Sequence, residues 1–241
     1  MPQTILGPDQ NTIQHIFDRL ATRYDIFNRL TSLGLDRLWR QKALQTIGPG
    51  MRVLDLGCGT GDLLLGAAEK MGTRGEIVGL DFSERMIEIA RLRVRQKGLD
   101  RKGPVIRFEN RPAQDIPFEA APYDRVVSGF VLRNIYENID EILQGVQESL
   151  KKGGQIRFLD FTEPPGKIRL ALWRAYMNTV AAFYGKILFG KDFPVKYMTD
   201  SAQRFAKAPE FEEKLRRAGF VNVSSKKFMM GIIVLYRGQK P

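Results

Sequence analysis

Apolar residues recur at helical spacing near the start of the chain. Ile13, Ile16, Phe17, Leu20 and Tyr24 predict an amphipathic helix whose apolar stripe must cover something. A second helix is predicted over 36–46, stopping near Gly48-Pro49-Gly50. From there short apolar runs alternate with amphipathic segments. Strands are predicted over 51–56, 76–80 (ending at Asp81), 105–108, 124–130 and 155–161, with helices over 62–71, 84–97 and 138–150 between them. Gly57-Cys58-Gly59-Thr60-Gly61 reads as the turn after the first strand, and Lys151-Lys152-Gly153-Gly154 as the end of the third of these helices. Such alternation predicts right-handed crossovers and a mainly parallel α/β sheet. After Pro164-Pro165 the pattern breaks: no strand signal occurs up to Pro209. A helix over 210–218, a strand near 221–227 and a last strand over 231–236 then close the sheet.

Composition narrows the classes. The chain has 241 residues, 43% hydrophobic and 27% charged, as in an ordinary folded domain. One cysteine, Cys58, and one histidine, His15, exclude a disulfide framework, a zinc site and a histidine-based catalytic triad. The start lacks a basic segment followed by an apolar run, so a cytoplasmic location is expected. The most apolar window, 167–189, is interrupted by Arg169, Arg174 and Lys186 and falls short of the ~20 residues of a spanning helix. Net charge is +11, from 38 Lys+Arg and 27 Asp+Glu, and its placement is uneven. Residues 1–150 carry 20 of each sign, whereas 151–241 carry 18 basic and 7 acidic residues.

The most informative segment is Val53-Leu54-Asp55-Leu56-Gly57-Cys58-Gly59-Thr60-Gly61-Asp62. Its glycines let the backbone turn off the strand and admit a ligand without Cβ interference, while the next helix offers free N–H groups. The spacing G-x-G-x-G differs from the G-x-G-x-x-G of dinucleotide binders, and Asp55 precedes it. A carboxylate there repels a pyrophosphate and suits an amino-bearing ligand. Asp81, at the end of the next strand, can accept hydrogen bonds from two ribose hydroxyls, each worth roughly 1.5–3 kcal/mol. The competing reading is a plain strand-to-helix turn with a helix N-terminal acid. Cys58 reads as a small buried residue.

The arrangement resembles the Rossmann-like S-adenosylmethionine-dependent methyltransferases. The resemblance implies that Asp55, Gly57, Gly59, Thr60 and Gly61 hold the methionine end, Asp81 the ribose, and Phe82 and Met86 the adenine, with Ala113 and Ser128 as further cofactor contacts. Three more segments restrict the family: Tyr24-Asp25-Ile26-Phe27-Asn28 running to Ser32, Gly34 and Trp39-Arg40; Phe130-Val131-Leu132-Arg133-Asn134; and Tyr197-Met198-Thr199-Asp200-Ser201 with Phe205. Together they resemble the ubiquinone/menaquinone biosynthesis C-methyltransferase family over nearly the whole chain. That resemblance implies one domain over 1–241: a helical flap (1–48), a cofactor-binding core (51–161), a cap insertion (164–209) and a closing helix and strands (210–241). The implied reaction is methyl transfer to a ring carbon of a prenylated benzoquinol or naphthoquinol.

Such a ring is electron-rich beside its ionised oxygen, so holding it in place does much of the catalysis. Arg133 is the candidate to stabilise the quinolate oxygen or to position a water that takes the ring proton, with Asn134 holding the same oxygen or the arginine. The alternative for Arg133 is an ion-paired residue opening a loop. Tyr24, Asp25 and Asn28 are placed on the flap over both ligands, or else as a core tyrosine with capping neighbours. The pattern departs from the family at Pro112-Ala113-Gln114, where an Asn or Asp is usual. Adenine recognition then falls to a backbone group or to Asn110.

The stretch 167–207 interleaves basic and aromatic residues. This suits an interfacial helix at an anionic membrane, with nucleic acid as the rival partner and a solvated cap as the plain reading. The quinone motifs favour lipid and no nucleic acid, with peripheral contact at the inner membrane; a homo-oligomer is left open. The basic run within 85–107 reads as a solvated face. Competing functions are methylation of RNA or another small molecule, and a non-catalytic membrane-surface protein of the same fold.

Overall fold

The computed structural model describes residues 10–116, 122–190, 193, 197, 200, 201, 205 and 207–241. Seven strands form one sheet: β1 (Arg52–Leu56), β2 (Glu76–Asp81), β3 (Val105–Asn110), β4 (Tyr123–Gly129), β5 (Leu150–Phe161), β6 (Val221–Phe228) and β7 (Ile233–Gln239). Their order is β3-β2-β1-β4-β5-β7-β6. The first five run parallel, and β7 pairs antiparallel with both β5 and β6. The strand order reverses between β1 and β4, the crevice where open α/β sheets take ligands.

The helices that build the core are α4 (Asp62–Met71), α5 (Glu84–Gln96), a short α6 (Leu99–Lys102) and α7 (Ile139–Ser149). They bury the sheet on both faces. Leu54, Leu56, Val126 and Phe158 face one apolar cluster, and Val53, Ile77, Val127 and Leu159 face the other. This parity follows from the two-residue period of a strand. The predicted break at 151–154 lies inside β5 as an irregularity, since Tyr123 faces Leu150 while Arg125 faces Gln155.

The structure differs from the sequence reading at the start of the chain. The single helix expected over 13–24 is α1 (Gln10–Leu20), a 3-10 turn (Ala21–Arg23) and then α2 (Tyr24–Thr31), followed by α3 (Leu35–Ala43). One straight stripe cannot serve both contacts that these helices make. Phe17 meets Phe82 edge-on at 6.4 Å, whereas Phe27 packs on Phe193 at 4.9 Å. The tighter turn between them redirects the apolar face.

Helices α8 (Lys167–Tyr176) and α9 (Ala182–Phe189) are joined by a π-helical turn, Met177–Ala181. A third apolar cluster of Leu20, Phe27, Trp173, Met177, Ala181 and Phe193 binds them to α1 and α2. Residues of 164–209 thus pack on the N-terminal helices, a long-range contact that no local pattern reports. The last helix, α10 (Ala208–Arg217), buries Phe211 and Leu215 against the sheet. Among the described residues, no helix is long and apolar enough to cross a membrane. The expectations for Pro117, Phe118, Lys191, Lys196, Met198, Thr199 and Arg204 fall outside the described residues.

Candidate active site

A cavity of about 180 Å³ lies at the C-terminal ends of β1, β2 and β4. Gly57 to Thr60 form its floor beyond β1, Asp81 and Phe82 come from the end of β2, Gly129 ends β4, and Phe130, Val131 and residues 133–138 follow it. Phe17, Tyr24 and Asp25 cover it from α1 and α2, and Tyr197 from the 164–209 segment. Met86, Pro112, Ala113 and Gln114 complete one end.

The glycine loop is shaped for a ligand. Gly57 has φ +69°, and a Cβ there would meet Val131 at 2.5 Å, so a side chain is excluded by both conformation and space. Asp81 is aimed by the loop itself: Oδ2 accepts from the Gly59 N–H at 2.8 Å and Oδ1 from the Ser83 N–H at 3.0 Å. Burial pushes its carboxyl up to about 6, moderated by those backbone N–H groups. Beside it, Gln114 Oε1 is buried without a hydrogen-bond partner, an acceptor awaiting a donor on the cavity wall. Asn110, expected to serve that end, instead donates to the Asp81 carbonyl at 3.1 Å and does not line the cavity. It is held by the β2–β3 edge. A glycine loop, a fixed carboxylate and an unpaired acceptor fit S-adenosylmethionine.

Other sequence-derived residues divide between the wall and the layer behind it. Gly57, Gly59, Thr60, Asp81, Phe82, Met86, Ala113, Tyr24, Arg133 and Asn134 line the cavity. Asp55, Gly61, Ser128 and Asn28 do not. Ser128 lies inside β4 and donates to the Leu56 carbonyl at 2.7 Å, Gly61 carries φ +90° beside Ala90, and Asn28 sits on α2. Asp55 is buried in β1, where burial pushes its carboxyl up to about 7 against the pull of the Arg40 charge.

A raised carboxylate pKa means that the folded protein holds a proton that the unfolded chain has released. Asp55 therefore contributes stability that is full below the ordinary carboxylate pKa of 3.8 and is lost progressively as pH rises through about 7. Thermal melts of ligand-free protein are expected to show Asp55→Asn with a flatter stability profile between pH 5 and 8. The wild-type slope from this group reaches about 1.4 kcal/mol per pH unit; identical slopes in the two proteins would remove the assignment.

The cover is fastened by charge. Thr60 Oγ1 donates to Asp25 Oδ1 at 2.6 Å, and Arg93 Nη1 donates to Asp25 Oδ2 at 2.7 Å and to the Thr60 carbonyl at 2.9 Å. Arg93 Nη2 reaches Asp62 Oδ1 at 2.7 Å, and Ser83 donates to Asp18. Arg93 thus corrects the reading of the basic run as a solvated face: it turns inward because acceptors on Asp25, Thr60 and Asp62 converge on it. Its neighbours Arg91 and Lys97 do make exposed ion pairs, with Glu84 and Glu69.

On the far side Arg133 is buried and paired with Asp160, Nη1 to Oδ1 at 2.9 Å. Its backbone N–H donates to Asp160 Oδ2 at 3.2 Å, and Nη1 also donates to the Phe130 carbonyl at 3.0 Å. Phe130 holds a left-handed φ of +66°, a strained conformation for a bulky residue, which turns that carbonyl toward the arginine. The guanidinium stacks 5.1 Å over Phe161. Burial disfavours its charge, and Asp160 more than restores it. Asn134 Oδ1 accepts from the Tyr197 hydroxyl at 2.9 Å. Arg133 is therefore ion-paired, as the alternative reading has it, and it also lines the cavity. Asp160 was missed, although an acid between Leu159 and Phe161 in a predicted strand was a readable signal.

Fold and cavity together define a class, the S-adenosylmethionine-dependent methyltransferases. The chain matches the model of the ubiE/COQ5 methyltransferase family over residues 6–240. It is 34% identical to the demethylmenaquinone methyltransferase of Desulfitobacterium hafniense, covering 95% of this chain and 90% of the relative. It is 30% identical to the ubiquinone/menaquinone biosynthesis C-methyltransferase UbiE of Rhizobium meliloti, covering 97% and 91%. Among solved structures, magnesium protoporphyrin IX methyltransferase from Synechocystis, with bound S-adenosylhomocysteine, superposes with a TM-score of 0.64 at 16% identity, covering 97% of this chain and all of that one. This chain belongs to the ubiE/COQ5 methyltransferase family and is an S-adenosylmethionine-dependent C-methyltransferase.

Proposed function

We propose that the protein methylates a ring carbon of a prenylated quinol, in quinone biosynthesis, at a membrane surface. The observation that carries the reading is Arg133, buried and paired with Asp160, on the wall of a cavity that also presents Phe17, Tyr24, Phe130, Tyr136 and Tyr197. Aromatic side chains suit a flat ring, and the fixed Arg133 cation suits the oxygen of an ionised quinol. The cofactor, when bound, supplies an electrophilic methyl group. Arg133 holds the quinolate oxygen, which keeps electron density on the neighbouring carbon. Asn134, tethered to Tyr197, fixes the other side of the ring.

The proton lost from the methylated carbon has no histidine to receive it, since His15 is exposed on α1 and off the cavity. A water ordered at Arg133 carries it instead. Asp25, fastened to Thr60 and Arg93, holds α2 over the cavity so that bulk water is kept from the reacting atoms. The whole chain acts as one domain in this reading, with α1–α3 as flap and 164–209 as cap.

Membrane contact is supported by the outer face of the cover. Exposed apolar side chains stand on the elements that pack there: Ile26 and Leu30 on α2, Ile168 and Leu172 on α8, Phe183 and Ile187 on α9. Arg169, Arg174 and Lys186 lie among them in sequence. Between α1 and α9 a groove of about 370 Å³ adds Arg19, Arg23 and Lys186 over an apolar floor of Leu20, Phe189 and Phe193. Cations above apolar residues match an anionic headgroup above acyl chains. In this reading the protein works in the cytoplasm, at the inner membrane.

Methyl transfer should be measured with short-chain demethylnaphthoquinol, demethylbenzoquinol and tRNA as acceptors. Transfer to a quinol and none to tRNA is expected, and transfer confined to tRNA would reject the reading. Sedimentation with phosphatidylglycerol vesicles is expected to capture the protein, and phosphatidylcholine vesicles to capture much less. Leu172→Glu with Ile187→Glu should abolish capture while transfer to a water-soluble quinol persists. Equal binding to both vesicle types would remove the electrostatic part of the proposal.

A further inference from the structure

The turn between β6 and β7 has no part in the reaction described above, and its backbone is unusual. Met229 and Met230 hold φ of +49° and +55°, and Gly231 follows at +97°. Two bulky residues in the left-handed region are strained, and burial compensates neither, since Met229 is 44% and Met230 62% exposed. The base of the turn is fixed. The Ile232 N–H donates to the Met229 carbonyl at 3.1 Å, the Thr162 N–H donates to the Ile232 carbonyl at 2.8 Å, and a Cβ added to Gly231 would lie 3.0 Å from Pro165. The two methionines thus stand out beside the start of α8, where Ile168 is 78% exposed. Basic side chains flank them: Lys226 and Lys227 on β6 and Lys167 and Arg169 on α8 are all exposed. Across 161–172 and 221–232 the sequence holds one acid, Glu163, and Arg174 pairs with it at 3.5 Å.

The strand register locates this patch relative to the cavity. β7 runs antiparallel to β5 with Ile233 opposite Phe161, so the turn lies at the same pole of the sheet as the C-terminal ends of β1, β2 and β4. Phe161 is also the ring that lies 5.1 Å from the Arg133 guanidinium. Asp81 ends β2, four strands from β7 and so about 19 Å away at the usual strand spacing. Exposed apolar side chains rimmed by cations match the hydrocarbon and headgroups of an anionic bilayer, and unbranched methionines adapt to such a surface. We infer that Met229 and Met230, beside Ile168, form a membrane-inserting tip that turns the Arg133 end of the cavity toward the bilayer and leaves the Asp81 end toward water. The inference rests on the membrane contact proposed above and gives it a direction: the lipophilic acceptor arrives from the lipid side and the cofactor from the aqueous side.

Cys58 is buried, so a thiol-reactive, polarity-sensitive fluorophore labels an introduced cysteine selectively. Two single sites make the comparison: Met230→Cys at the tip, and Lys152→Cys, which is exposed near the opposite end of β5. With phosphatidylglycerol vesicles the label at the tip is expected to brighten and shift to shorter wavelength, and the label on β5 to stay as it is in buffer. Lys226→Glu with Lys227→Glu should lower vesicle partitioning about 10- to 30-fold. Met229→Ser with Met230→Ser should raise KM for a prenylated quinol held in vesicles about tenfold, and leave KM for a water-soluble quinol and affinity for S-adenosylhomocysteine within about twofold. A silent label at the tip, on protein that the vesicles still capture, would overturn the inference and leave the contact through α8 and α9 standing. Equal changes at both labels would overturn the orientation. Failure of the vesicles to capture the unlabelled protein would remove the membrane contact itself, and the tip with it.

Discussion

Replacing Arg133 is expected to reduce turnover about 10²- to 10³-fold, the scale for loss of one preorganised donor at a developing or stabilised oxyanion. The obvious variant, Arg133→Ala, has a second effect that must be separated. It strands Asp160, which is fully buried, and breaking a buried pair by removing one partner costs about 3–5 kcal/mol. A double variant, Arg133→Met with Asp160→Asn, removes both charges and keeps most of the volume. It should melt closer to the wild type than Arg133→Ala does, while retaining the turnover defect. Affinity for S-adenosylhomocysteine should stay within about threefold, because the proposed function assigns Arg133 to the acceptor. If turnover and cofactor affinity fall by the same factor, Arg133 is a fold or cofactor residue and the proposed chemistry lacks its key group.

Asp81→Asn is expected to weaken S-adenosylhomocysteine binding about 10- to 100-fold, the loss of one or two hydrogen bonds to a charged acceptor. Asparagine is the better test than alanine, because it keeps an acceptor for one of the Gly59 and Ser83 N–H groups where alanine strips both. The wild-type carboxyl, held up near 6 by burial, adds a pH signature. The ionised form is the double acceptor, so affinity should be constant above pH 7 and fall as pH drops below about 6. The asparagine variant should show no such fall. A wild-type affinity that is flat from pH 8 to pH 5, or an unchanged variant, would separate Asp81 from the ribose.

Much of this site was legible because its chemistry is local. The turn Gly57–Gly61 follows a strand and opens a helix, and Asp81 ends the next strand; both facts depend on spacing alone. Asp81 and Gly59 are 22 residues apart, yet parallel pairing of β1 with β2 must bring the strand ends together. Less legible was the partner of Arg133. Asp160 comes from β5, and only the β4–β5 register, with Gly129 opposite Leu159, sets the loop after β4 beside it. Arg93 was misread for the same reason: its helix has a solvated face, and its inward turn depends on Asp25 arriving from α2.

By itself the sequence determined the alternation of strands and helices, the ligand loop and the uneven charge. These follow from residue-level propensities and from periods of two and 3.6. Tertiary structure alone decided three other things: the joining of α1 and α2 to α8 and α9 through Phe27, Trp173 and Phe193, the capture of Arg133 by Asp160, and the incompletely paired state of Arg40. Each is a contact between segments far apart in the chain, and its energy comes from burial and from competition among neighbours for the same acceptor. A linear pattern carries the donors and acceptors, whereas only the folded chain determines which of them are already taken.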